Sequence, residues 1–222
     1  YKKKRKFKIL CAPNFVLKYG KSFEYQIRAS IIYNFHKDEF YFNDRIVNAV
    51  KKCLNQTDVR FIFFGFVLIN SSSFADTHAN MIIVDLYKKT FERFEPYGYG
   101  NLRDEKKIDL RLKERGKEIL GLNKNYKYIS PINISPKLGV QSIADAFCGL
   151  CVTISMMYLH LRVLNPDISQ KKIIKFLVKR DKKDLKTMIL KYARHVEVTL
   201  KNNKTYLVDL MKDFKKKIKE LN

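Results

Sequence analysis

The chain has 222 residues, 46% of them hydrophobic, and carries 45 Lys and Arg against 22 Asp and Glu, a formal charge of +23. That size fits a single domain, residues 1–222, with enough apolar side chains for a core. The four cysteines are too few for a disulfide scaffold, no run approaches the ~20 apolar residues of a membrane span, and neither a zinc-finger spacing nor a helix-turn-helix pattern accompanies the basic charge.

The first eight residues form a basic arm, with Lys2, Lys3, Lys4, Arg5 and Lys6 in succession. Such a cluster suits nonspecific contact with nucleic acid, and the excess of lysine over arginine fits diffuse phosphate attraction better than base reading. Phe23–Phe35 alternates loosely and predicts strand. Asn43 and Asp44 are placed to cap a helix over Arg45–Leu54, whose Ile46, Val47, Val50 and Leu54 share one face. Arg60–Asn70 is almost continuously apolar, as in a central strand buried on both faces.

His78–Asp85 and Thr90–Glu95 flank the polar stretch Leu86–Lys89 and predict a hairpin. A turn centred between Leu86 and Tyr87 sets His78 opposite Glu95, and a slide of one residue still leaves them neighbours. A carboxylate there can hold an imidazole in one tautomer and stabilise its charged form; a surface His–Glu pair is the plainer reading. Residues 101–120 are charged and helical in pattern, and Tyr126–Ile134 predicts another short strand.

From Cys148 to Val163 the pattern is an apolar helix that ends at Asn165 and Pro166. A cysteine in its first turn meets free backbone N–H groups and the positive end of the helix dipole, and both lower a thiol pKa. Gln141, upstream, is placed to complete an oxyanion hole with its side-chain amide. Each cysteine is also readable as a small buried hydrophobe, and Cys148-x-x-Cys151 as a weak redox or zinc signal. Lysine-rich helices are predicted at 168–179, 182–196 and 205–220. The expected fold is α+β: a small mixed β-sheet packed on a buried central helix that carries the nucleophile, with a helical lysine-rich C-terminal third.

His-Ala-Asn-Met-Ile-Ile-Val-Asp (78–85), Phe-Glu-Pro-Tyr-Gly (94–98), Val140-Gln141 and Cys148-Gly149-Leu150 together resemble the adenovirus maturation protease and its relatives, the SUMO- and ubiquitin-like-specific cysteine proteases. The pattern is also similar to protease-like proteins of large DNA viruses. The resemblance covers about residues 60–166, the expected catalytic core, and leaves 167–222 as a helical extension. It implies a cysteine peptidase with His78 as base, Glu95 as its orienting acid, Gln141 in the oxyanion hole and no cofactor. Register with the adenovirus type selects Cys148 as nucleophile; register with the large-virus type selects Cys151, which has Ile154 three residues on and Ser155 next. Ala79 stands where the family often has Trp.

The implied substrate is a protein, either a viral structural precursor or a ubiquitin-like conjugate; nonspecific nucleic acid is a further partner through the basic surface. No secretory signal is visible, so the expected place is inside a cell or packaged in a virion. The competing expectation is an inactive basic virion protein that keeps only the fold.

Overall fold

The computed structural model describes residues 10–11, 14–19, 23–28, 30–43, 45–69, 77–100, 105–144 and 150–202. The basic arm (Lys2, Lys3, Lys4, Arg5, Lys6), Cys148 and the helix expected at 205–220 lie outside these residues.

The longest apolar run of the sequence lies in the interior of the sheet. Strand β6 (Phe61–Ile69) has Phe61, Ile62, Phe64 and Phe66 at 0% exposure. Each such side chain contributes roughly 1.5–3 kcal/mol through its removal from water. The strands before it are β1 (Leu10–Cys11), the antiparallel ribbon β2 (Asn14–Tyr19) and β3 (Phe23–Arg28), then β4 (Ser30–Asn34) and β5 (Glu39–Tyr41). Both β1 and β4 run parallel to β6, while β5 pairs antiparallel to β4. On the other side β7 (Thr77–Asp85) pairs antiparallel to β6, β8 (Thr90–Phe94) antiparallel to β7, and β9 (Lys127–Ile129) parallel to β8. The sheet is mixed, in the order β5-β4-β6-β7-β8-β9 with β1 beside β6.

Seven helices occur among the described residues, and the protein is α+β. Helix α1 (Arg45–Leu54) begins where the Asn43 side chain accepts the Arg45 N–H at 2.9 Å. With α2 (Glu105–Ile119) it covers one sheet face: Ile46 and Val50 of α1 and Ile108 and Leu112 of α2 share a core with Ile62, Phe64, Ile82 and Val84. The alternate strand residues Phe61, Phe63, Met81 and Ile83 face a second core. It is filled from α4 (Val140–Ala144), α5 (Leu150–Leu164), α6 (Gln170–Val178) and α7 (Lys182–Asn202), which supply Val140, Ile154, Tyr158, Ile174, Leu177 and Leu185 among others. No helix among the described residues is long and apolar enough to cross a membrane.

Two expectations need correction. The strand expected over Tyr126–Ile134 stops at Ile129, because the Ser130 hydroxyl accepts the Ile132 N–H and Pro131 opens a short helix, α3 (Pro131–Ile134). The cysteines, read as supplying no disulfide framework, include one bonded pair, Cys11 with Cys53. Spacing along the chain does not show it, since the two are 42 residues apart. The partners come together because β1 lies along β6 and α1 packs on that face, which leaves their Cα atoms 5.9 Å apart, inside the range a disulfide bridges.

Candidate active site

The hairpin places the histidine and the carboxylate. Asp85 opens the turn, its Oδ1 accepting the N–H groups of Tyr87 and Lys88 at 3.0 and 3.1 Å. Lys89 closes it with φ 52°, and Asp85 pairs with Thr90. The ladder therefore runs Asp85–Thr90 to Met81–Phe94, out of the expected register. Continued past its last rung, it sets Tyr97 rather than Glu95 opposite His78. The Tyr97 ring indeed stacks on the His78 ring, with centroids 4.7 Å apart and 30° between planes. Glu95, level with Asn80, still reaches the histidine as a diagonal neighbour: His78 Nε2 lies 2.6 Å from Glu95 Oε1.

Glu95 is held on all sides. Its side chain has 0% exposure. Oε1 also accepts the Tyr97 N–H at 2.9 Å, and Oε2 accepts from Arg93 Nη1 at 3.3 Å. Arg93 is itself fully buried; it donates to Asn80 Oδ1 at 2.8 Å, to Glu105 Oε1 at 3.1 Å and to Asp109 Oδ1 from both Nε and Nη2.

Cys151 lies in the first turn of α5 and is buried. Its thiol lies close enough to the His78 ring and to the backbone N–H groups of Ala79 and Val152 for each to favour its thiolate. Burial disfavours the thiolate, yet the His78 and N–H contacts outweigh it and hold the thiol below its ordinary pKa. Burial likewise disfavours charge on His78, but the Cys151 and Glu95 partners prevail and raise it from 6.5 to about 9. The two shifts are linked, each group favouring the charged form of the other. With Nε2 engaged by Glu95, the other ring nitrogen is left to exchange a proton with sulfur.

Gln141 sits on α4 at 1% exposure, its carboxamide oxygen buried without a hydrogen-bond partner. Its backbone N–H donates to Pro96 O at 2.9 Å, Gly139 N–H to Tyr97 O at 2.7 Å, and the Ser142 hydroxyl to the same Tyr97 carbonyl at 2.9 Å. The segment bearing Gln141 is thus stitched to the segment bearing Glu95. Two glycines permit the contact. A Cβ on Gly98, at φ 88°, meets Gly139 N at 2.4 Å, and one on Gly139 meets Gly98 N at 2.2 Å. No side chain fits between these backbones.

Of the residues expected to form a site, His78, Glu95 and Cys151 come together, Gln141 is tied to the same loop, and Cys148, Lys2, Lys3, Lys4, Arg5 and Lys6 fall outside the described residues. His160 is exposed and bonds the Tyr192 hydroxyl at 2.9 Å. No protein-family model matches the chain, and neither does any curated protein. Sequence reasoning missed Arg93, Asn80, Tyr97 and the glycine pair. Strand parity offered one usable signal, since Arg93 and Glu95 are two residues apart and project to one side.

Among the described residues no group of three or more His, Cys, Asp or Glu is placed to hold a metal ion. An open cleft of about 920 Å³ lies between α2 and α3, lined by Tyr99, Leu110, Lys113 and Ile132 among others. Its carboxylates Glu105 and Asp109 are already committed to Arg93.

Proposed function

We propose that the protein is a cysteine peptidase that hydrolyses peptide or isopeptide bonds, with Cys151 as nucleophile, His78 as general base and acid, and Glu95 as the orienting carboxylate. One observation carries the reading: a single imidazole bonds a buried carboxylate at 2.6 Å and neighbours the thiol of a helix-borne cysteine. In this reading α5 is the central helix of the fold, and the lysine-rich C-terminal helices cover it.

The chemistry follows from the protonation states. A thiolate at neutral pH attacks a carbonyl carbon, and the tetrahedral oxyanion is met by the Gln141 carboxamide and backbone N–H groups at the start of α5. The imidazolium gives its proton to the leaving amine, and a thioester remains. Neutral His78 then takes a proton from water, hydroxide displaces sulfur, and the carboxylic acid leaves. Glu95 keeps the ring in one tautomer throughout.

The substrate of this reading is a protein, with a viral structural precursor first and a ubiquitin-like conjugate second. The charge of +23 favours retention on nucleic acid inside a cell or virion, and it equally favours the rival reading, an inactive basic structural protein. Iodoacetamide labelling separates them. In a Cys148→Ser background, Cys151 is expected to alkylate at pH 7 at least about tenfold faster than an ordinary exposed thiol, since its thiol is held below the ordinary pKa. Cys151→Ser is expected to abolish acyl-enzyme formation with peptide and ubiquitin-like activity probes. Labelling at the ordinary rate sinks the peptidase reading.

A further inference from the structure

We infer that Arg93 is a positioning residue of the proposed site: its guanidinium fixes the Glu95 carboxylate so that Oε1 faces His78. The inference rests on the peptidase reading. It adds a second tier behind the triad, contributed by β8 itself and by α2.

All five N–H groups of Arg93 are engaged: one at Nε with Asp109, two at Nη1 with Asn80 and Glu95, and two at Nη2 with Glu105 and Asp109. The fork therefore has one orientation. Its partners differ in what else holds them. Glu105 also accepts the Gly100 N–H, and Asp109 accepts the hydroxyls of Tyr128 and Ser130. On Glu95, Oε1 takes His78 and Tyr97 N–H, and Arg93 is the donor to Oε2. Without that donor the carboxyl group can rotate about its last bond, and the atom bonded to imidazole is no longer specified.

Burial makes the arrangement stringent. Arg93 and Glu95 both have 0% side-chain exposure, so water does not replace a lost contact. A Glu95 carboxylate turned away from Nε2 cannot stabilise the imidazolium. Lysine cannot substitute, because one ammonium nitrogen cannot span Asn80, Glu95, Glu105 and Asp109 together.

The comparison of Arg93→Lys with wild type isolates geometry from charge. In a Cys148→Ser background, two curves are measured: the pH dependence of iodoacetamide labelling at Cys151, and the NMR titration of the His78 ring. Arg93→Lys is expected to raise the acid limb of labelling and lower the His78 midpoint, each by about one unit, the low end of what a partner charge at this range supplies. A purely electrostatic or structural role for Arg93 leaves both midpoints where they were in the folded lysine variant, and that result overturns the inference. If the lysine variant does not fold, Asn80→Ala removes the other acceptor on Nη1. It is expected to shift both midpoints the same way by less, and unchanged midpoints there also overturn the inference. A wild-type Cys151 that labels like an ordinary thiol sinks the peptidase reading instead, and the His78 titration still decides whether Arg93 sets that ring's protonation.

Discussion

Glu92 and Arg93 are neighbours on β8, project to opposite faces of the sheet, and anchor two buried charge clusters of unlike design. Glu92 accepts from the Tyr158 hydroxyl at 2.8 Å, Arg162 Nε at 3.1 Å and Gln170 Nε2 at 2.6 Å. Arg162 also faces Asp85, as does Arg60. Two guanidinium groups thus face two buried carboxylates, Arg60 also reaches the exposed Asp167 at 3.0 Å, and the cluster joins the sheet to α5 and α6. Arg93 alone faces three carboxylates, Glu95, Glu105 and Asp109. One cluster pairs two cations with two buried anions and runs out to the surface at Asp167. The other sets a single guanidinium against three carboxylates and ends on His78. Buried ion pairs alone do not mark a functional site; a cluster that ends on a histidine beside a thiol is the kind of neighbourhood on which the peptidase proposal rests.

The sharpest way to break the comparison is at the ring. His78→Ala is expected to lower peptide hydrolysis by about 10²–10⁴-fold and to return Cys151 labelling at pH 7 to the rate of an ordinary thiol, and the lost imidazolium–carboxylate pair is expected to lower the urea midpoint at neutral pH. The pH profile carries the same information. His78 is raised from 6.5 to about 9, so the stability contributed by its charged form is complete below about 6.5 and is lost as pH rises through about 9. Cys151 is lowered, so the thiolate's contribution is present above the ordinary thiol range and is lost as pH falls through the lowered value. Hydrolysis is therefore expected to be bell-shaped, with its alkaline limb near pH 9. A profile that keeps rising beyond that limb counts against the ion pair.

The opposite perturbation is Arg162→Met, which strands Glu92 in the core. Breaking one side of a buried pair costs about 3–5 kcal/mol, read as a fall in the urea midpoint. Cys151 labelling in the folded protein is expected to keep its pH dependence. A shift in that dependence shows that the two clusters are coupled after all.

Gly98→Ala tests the stitch between the carboxylate loop and α4. With φ 88° and Gly139 N at 2.4 Å from the new methyl, backbone strain of about 1–3 kcal/mol is expected, seen as a lower Tm. Acylation is expected to fall further than labelling, because Gln141 is displaced while the thiol–imidazole pair persists. Equal losses in both mean that the loop supports the ring and not the oxyanion hole.

Much of this arrangement was legible in the chain. The apolar run of β6, the helix at Arg45–Leu54 and the break at Asn165 follow from periodicity and punctuation. The loop Leu86–Lys89 is the expected one, but its centre lies between Tyr87 and Lys88, one residue later than the turn that sets His78 opposite Glu95. Asp85 binds the Tyr87 and Lys88 N–H groups and fixes that centre, and a side-chain cap of that kind sets register without altering hydropathy. Arg93 was hidden because two of its partners lie on α2, whose sequence reads as a solvated, charged helix; only the turn that presses Glu105 and Asp109 against the sheet shows them as core residues. The Cys11–Cys53 bond and the contact between Gly98 and Gly139 depend on distant segments meeting, which local pattern does not encode.

The two strands flanking one side of β6 carry a last consequence. Cys11 pairs with Ile62 and Ser30 with Gly65, so a connection of two or so residues would complete that border, yet the polypeptide detours through the β2–β3 ribbon. The detour leaves and rejoins at nearly the same place. Its length and composition are therefore expected to be open to change, or to replacement by a grafted sequence, with only the α1 contacts of β2 at stake and the β7–β8 hairpin left in place.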